Sequence, residues 1–570
     1  MEAIVYFFFI HITLLVFGYS FVARFNIFAK HPGIQLSLGY MLSIAFISSL
    51  ALLYYLFNIP PELVQGIFWI TFTFAIVTIL LNDFYKELAR QWFVLTAFVL
   101  MSGLSLCVTA FSLPPENFAF FPDPEQREDR NYTTLSTKVQ NLAHTRANDH
   151  YIPYRQAQFF VNKSDPGTDS FIDEWGVHFF QRTPLLGATT AGYFLSINDR
   201  PPVDYTWAQS SVDPDHTYAK FQSLAQVMNS IFVIPAFFLI RRLFNKNTAI
   251  VSTLFFVTSP FFLYNSFFTW PKTLVAFFII LSWLLLLSSK HRSYTIVAAA
   301  ASGLAYLTHD LAVLYIGATV ILLLLLRRFV DVAIIGLGSS LFALPWMLTA
   351  SLIYHKASSF IYYPISTKDI PQPSQYKEIV QTFLSTSPLK LIGIRLESLF
   401  YLLTPYQLIV LENSNSFATR LWAVGIYSIP GSVGLGLFAP MLIGIYKFFS
   451  NWKIWILWLT PVILSVLVIG WPRGLGSFHF AEASIVILTS LAVAGLYKSS
   501  LTKWLYVAFT LHIIHLLYVV TFTYNFSLQL VTLKDLASAL VITFVIAACS
   551  ITLYMTIASR QKFVSRISDN

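Results

Sequence analysis

Apolar stretches of 18 residues or more recur from Ile4 to near the C-terminus of this 570-residue chain, and no other feature constrains the fold so tightly. Such a stretch, wound as a helix, is long enough to cross the hydrocarbon of a bilayer. Backbone inside lipid must satisfy its own hydrogen bonds, so only helices and closed barrels remain. The runs are too long and too evenly apolar for the alternating strands of a barrel. With 56% apolar and 11% charged residues, the sequence predicts an all-α polytopic membrane protein. The first run, Ile4 to Phe21, has no basic flank before it and no small-residue cleavage site after it, which reads as a retained span. Cys107 and Cys549 both fall in apolar runs and suggest neither a disulfide framework nor a zinc site.

Basic residues set the expected topology. Groups occur at Arg24 and Lys30, Lys86 and Arg90, Arg241 to Lys246, Lys290 and Arg292, Arg327 and Arg328, Lys447 and Lys453, Lys498 and Lys503, and Arg560 to Arg566. Placed in the cytoplasm, they imply about 15 spans with the N-terminus outside and the C-terminus inside. The net charge of +9 is then a matter of orientation, and nucleic acid is not a partner that it supports. The opposite loops are poor in basic residues, so Lys272 in FTWPKT and Arg473 in WPRG stand out. A cation at that boundary suits a lipid phosphate, since charge acts more strongly in a partly dry interface than in water. The ordinary alternative is snorkelling to bulk headgroups.

The expected outer face carries a polar insert, Pro114 to Lys220, with 14 of the chain's 27 Asp and Glu residues. A second outer segment, residues 354–423, contains KLIGIRLESLFYLL, where Arg395 and Glu397 make a full crossing costly and an interfacial helix is expected. The organisation expected is a three-span N-terminal addition over 1–90, a core over 91–353 including the loop 114–220, the second outer segment, and C-terminal helices over 424–570.

Within the insert, Asp149 opens D-H-Y-I-P-Y-R-Q-A, ending at Ala157, and Arg182-Thr183-Pro184-Leu185 follows. This pair resembles the first outer loop of the C-type membrane glycosyltransferases (GT-C), the class of protein O-mannosyltransferases and lipid A aminoarabinose transferases. Many of these carry D-E-x-x-Y-x-x-x-A and then K-P-P-L. His150 replaces the second acid here, Pro153 takes the tyrosine position with Tyr154 one residue on, and RTPL stands for KPPL. The resemblance covers roughly Trp92 to Leu326 and implies a GT-C-like helical bundle with a mostly helical outer loop.

It also implies transfer of a hexosyl or pentosyl group from a polyprenyl-phosphate donor to a glycan, lipid or protein acceptor, with inversion. Asp149 is then the general base that takes the acceptor's proton, with His150 beside it and Asp173 and Glu174 as rival acids. Lys272, Arg473 and Arg182 are candidates to hold the donor phosphate. Tyr154, Arg155, His309, Asp310, His479 and Glu482 are further pocket candidates. For Asp149 the plain alternative is a helix cap. No metal-ligand spacing occurs among the histidines, so no cofactor is assigned, and a divalent metal has only His150 to recommend it. A transporter or lipid flippase, and a non-catalytic scaffold or inactive relative, stay open as alternatives. The expected location is a multi-pass bacterial inner, or plasma, membrane.

Overall fold

The computed structural model describes residues 2–28, 31–111, 151–164, 179–202, 216–267, 269–354, 362–367, 376–404, 424–425, 427–470 and 482–518. Among these every regular element is helical. The first five are α1 (Glu2–Arg24), α2 (Pro32–Phe57), α3 (Pro61–Leu81), α4 (Phe84–Arg90) and α5 (Trp92–Phe111). Prolines at the first position of α2 and α3 preset the backbone where an N–H would have no partner anyway. Helices α1 and α2 touch backbone to backbone at Gly18, where a Cβ would lie 1.9 Å from the Gly39 carbonyl oxygen. Small residues allow such close approach in membrane bundles.

The insert returns to order as α6 (Tyr151–Asn162), a 3-10 turn over Phe179–Gln181, and α7 (Leu185–Ser196). Every residue of α7 is buried, against α2 and α6. At 12 residues, about 18 Å, it is too short to cross the bilayer. Part of the segment expected as a polar outer loop is therefore an apolar plug inside the bundle. Its small and apolar composition, LLGATTAGYFLS, lets it sink there. Gly192 lies so near Ile47 of α2 that a Cβ would stand 2.1 Å from its carbonyl oxygen.

Helices α8 (His216–Ser230) and α9 (Val233–Leu243) follow. Together they make a 27-residue apolar span whose most apolar stretch is buried throughout. Next come α10 (Lys246–Thr258) and α11 (Pro260–Phe267), bent by 58°. Pro260 forces Ser259 into extended backbone, which breaks the span. The remainder is α12 (Lys272–Ser288), α13 (Arg292–Thr308), α14 (Ala312–Leu325), α15 (Phe329–Leu348) with a π turn over Thr349–Ile353, α16 (Tyr376–Ser385) and α17 (Pro388–Leu403). The last are α18 (Ile429–Val433), α19 (Phe438–Lys447), α20 (Trp452–Val468), α21 (Glu482–Lys498) and α22 (Trp504–Tyr518).

Among the described residues six helices are long and apolar enough to span a membrane, or seven with the bent pair, and five shorter apolar helices accompany them. About 15 spans were expected, and the last of these fall within residues 519–570, outside the described residues. A large hydrophobic core runs from Tyr6 in α1 to Ala508 in α22, so the first helices share it with later ones, and a smaller cluster gathers Leu311, Leu314, Tyr363 and Ile469. Thr13 of α1, for instance, meets Tyr193 of α7 at 2.6 Å.

The charges sort to two ends of the bundle. At one end Arg242 donates to the Leu287 carbonyl, Arg328 to the Leu286 carbonyl and Lys498 to the Lys447 carbonyl. Each cation thus meets the negative end of a neighbouring helix. The other end carries the starts of α12, α14 and α21. Helix α17 is fastened there by Arg395, whose guanidinium donates to the carbonyls of Ile469 and Pro364. Sixteen residues long, α17 exposes Leu389, Ile392, Leu396 and Phe400 together with Lys390 and Glu397.

Candidate functional site: a cation pair on one indole

The turn FTWPKT ends in Lys272, the first residue of α12. Its backbone is held twice, for the Trp270 carbonyl accepts from the Lys272 N–H at 2.8 Å and from the Asn229 side chain of α8 at 3.1 Å. Arg182 arrives from the insert. Its position is set by Gln156 of α6, whose amide nitrogen lies 3.1 Å from both the Phe179 and the Arg182 carbonyls.

These two backbone tethers bring two cations to one ring. The Lys272 ammonium lies 4.5 Å and the Arg182 guanidinium 4.9 Å from the centre of the Trp270 indole. An indole face attracts cations, the more so when water is excluded, and Lys272 is only 3% exposed. His309, closing α13, stacks on the same indole at 5.4 Å and 19°. Its Nδ1 stands 2.9 Å from an Asp310 carboxylate oxygen and 3.2 Å from the Leu311 N–H. Burial pushes the His309 imidazole below its usual range, Asp310 draws it back up, and Arg182 and Lys272 press it down again.

Two more walls close on the group. Glu482, the first residue of α21 and also buried, is within electrostatic reach of Lys272. Arg182 is within similar reach of Tyr376, whose ring stacks on Tyr362 at 3.6 Å. Two residues before Arg182, Phe180 stacks on Tyr354 at 4.5 Å and meets Trp346 at 5.0 Å. An aromatic ledge thus runs from α15, the span with least burial, toward the cations. Two positive charges held in a largely dry, aromatic setting would bind an anion such as a phosphate monoester or diester far more strongly than exposed lysines would.

Of the residues singled out from sequence, the structure gathers Arg182, Lys272, His309, Asp310 and Glu482. Asp149, His150, Asp173, Glu174, Arg473 and His479 lie outside the described residues. Asp149 and His150 immediately precede α6, the helix whose Gln156 holds the Arg182 segment. Tyr154 is fully buried, with its hydroxyl 2.6 Å from Thr217 and its ring against Tyr218 and Phe221. Arg155 donates to Gln158 at 2.9 Å and lies over Phe159. The sequence reading passed over Gln156 and Asn229. Amides at 222, 226 and 229 form a polar stripe at helical spacing inside an apolar span, and that signal was available. Among the described residues no three His, Cys, Asp or Glu side chains are placed to hold a metal ion.

Fold and charge placement define an integral membrane protein with several apolar helices. Residues 219–353, from α8 to the π turn after α15, match the family model described as dolichyl-phosphate-mannose-protein mannosyltransferase. The resemblance to that class drawn from the loop motif is thereby met by a match to a different part of the chain, which includes Trp270, Lys272, His309 and Asp310. No curated protein matches the chain. Two solved structures from Archaeoglobus fulgidus are similar in part. One is the oligosaccharyltransferase with zinc and sulfate, at 13% identity and TM-score 0.42, covering 75% of this chain and 53% of that one. The other is the oligosaccharyltransferase AglB with an inhibitory peptide and a dolichol-phosphate, at 12% identity and TM-score 0.41, covering 83% and 56%. The chain thus spans little more than half the length of either.

Proposed function

We propose that this protein is a GT-C-type membrane glycosyltransferase that moves a sugar from a polyprenyl-phosphate donor to an acceptor at the outer face. One observation carries the reading: Arg182 and Lys272 converge on Trp270 within and beside the segment that matches the mannosyltransferase family. Charge that develops on the departing lipid phosphate is stabilised by fixed cations that need not reorganise. The acceptor hydroxyl attacks the anomeric carbon, the bond from that carbon to the phosphate oxygen breaks, and its electron pair stays on the phosphate. Asp149 takes the acceptor proton, and direct displacement inverts the anomeric centre.

The end that carries Lys272 faces outward and the end that gathers Arg242, Arg328 and Lys498 faces the cytoplasm, as the positive-inside rule requires. A divalent metal has no ligand set among the described residues, so no step is assigned to one. The test is transfer from dolichyl-phosphate mannose by the full chain in lipid. Asp149→Asn is expected to lower turnover by roughly 100- to 10,000-fold with the melting temperature unchanged. Turnover retained by that variant would remove Asp149 from the role of base.

A further inference from the structure

Arg395 of α17 holds two carbonyls that are far apart in sequence. One guanidinium nitrogen donates to the Ile469 carbonyl, just past the end of α20, and the other to the Pro364 carbonyl at 2.7 Å. Pro364 lies in the turn 362–367, where the Tyr363 carbonyl accepts from the Gly470 N–H at 2.9 Å. The fit is close, for a Cβ on Gly470 would stand 2.1 Å from the Ser366 carbonyl oxygen. Arg395 and Gly470 together pin the turn to the end of α20.

The turn in turn reaches the cation pair. Tyr363 is 4% exposed and forms one buried cluster with Ile469 and with Leu311 and Leu314, at the start of α14. The Leu311 N–H donates to His309 Nδ1 at 3.2 Å, and the His309 ring stacks on the Trp270 indole that holds Lys272 and Arg182. A lysine would serve the last carbonyls of α20 as an arginine does, since a helix C-terminus attracts any cation. Only the planar fork of a guanidinium holds two carbonyls at once. What the arginine adds is therefore its second acceptor, and that acceptor sits in the turn packed against the start of α14.

We infer that Arg395 is a positioning residue for the lipid-phosphate site: it holds the turn 362–367 against α14 and, through Tyr363 and Leu311, keeps His309 on Trp270. The inference rests on the transferase reading and adds a residue to it. Cations act best on a phosphate when they need not reorganise. Slack in this chain of contacts weakens binding without touching either cation.

The experiment measures binding of dolichyl phosphate by the full chain in nanodiscs, with thermal unfolding of each variant. Arg395→Lys keeps a cation for α20 and gives up the turn. It is expected to bind roughly 3- to 30-fold more weakly than the wild type, with little change in melting temperature. Tyr363→Ala opens the same link without altering Arg395, and should weaken binding to a similar degree. The decisive reading is coupling. His309→Asn should weaken binding by itself, and Arg395→Lys should add little in that background. A clamp that serves the fold alone would lower the melting temperature and leave the affinity of the folded protein unchanged, or would add its full effect to that of His309→Asn. Either result overturns the inference, and if Lys272→Met still weakens binding, the phosphate site stands without it. If the wild type does not bind dolichyl phosphate, the transferase reading fails and the positioning role with it.

Discussion

The two ends of the bundle use the same side chains in opposite ways. At the end rich in basic residues, Lys86 pairs with Asp83 and Arg90 with Glu87, and all four side chains are roughly half exposed. At the other end Lys272, His309, Asp310 and Glu482 are 2–4% exposed. Water solvates the first set, so its members tune orientation and little else. The second set is largely cut off from water, and a charge there is tolerable only through partners fixed around it. Lys272 is the extreme case, an ammonium at a helix N-terminus, where the helix dipole opposes it. A chain keeps a cation in so unfavourable a place when the field it makes is used.

The largest effect should therefore come from that residue. Lys272→Met keeps most of the side-chain volume and removes the charge, so the packing against Trp270 survives. Transfer from dolichyl-phosphate mannose is expected to fall roughly 100- to 1,000-fold. Equal activity in the variant would mean that burial of Lys272 serves the fold alone, and the contrast between the two ends would lose its functional meaning.

How much of this was legible in the sequence divides along the same line. Apolar run length gave the helical membrane class, because a span must satisfy its own backbone whatever surrounds it. Lys272 and His309 with Asp310 were visible as charges in short turns between apolar runs, and Arg182 as part of a loop motif. Their convergence on Trp270 was not, since it depends on Asn229 and Gln156 holding carbonyls that are distant in sequence. Helix α7 was missed for a related reason. Its twelve residues look like a loop fragment until Ile47 and Tyr193 show which surfaces it fills.

A second prediction asks whether the buried end depends on α7. Gly192→Val places two methyl groups where a Cβ alone would stand 2.1 Å from the Ile47 carbonyl oxygen. Backbone cannot yield as a side-chain tip does, so α7 must shift. Stability should fall by about 1–3 kcal/mol or more, and Arg182, which precedes α7, should lose its place over the indole. The readout is melting temperature together with affinity for dolichyl phosphate. Loss of stability with full affinity would show that Arg182 is positioned by Gln156 without help from α7.

A smaller effect tests the burial of His309 by pH. The unfolded imidazole titrates near 6.5, and burial holds the folded value below that. Between the two, the unfolded chain binds more protons than the folded chain, so stability falls as pH drops from about 6.5 and levels once the folded value is passed. Above about 6.5 this contribution is constant. His309→Asn keeps an acceptor for the Leu311 N–H and removes the titration. Its melting temperature should fall less than that of the wild type between pH 7.5 and pH 5.5. Parallel curves would place the titrating groups elsewhere.

The smallest effect belongs to the exposed end, and its smallness is the point. Asp83 is exposed and its carboxyl is held below the usual range chiefly by the hydrogen bond from Lys86. Both partners are long-lived neighbours only in the sense that i,i+3 spacing on one helical turn keeps them close, and salt screens what remains. Replacing both by alanine should leave the melting temperature and transfer activity within error, at low and at high salt. What the change can move is orientation, because Lys86 belongs to one of the basic clusters that the proposed topology places in the cytoplasm. Protease accessibility of the loop 114–220 in sealed vesicles reads that directly. A shift in topology with no shift in activity per correctly inserted molecule would separate the roles of the two ends. Equal loss of activity and of stability would show that the exposed pair is as structural as the buried cluster.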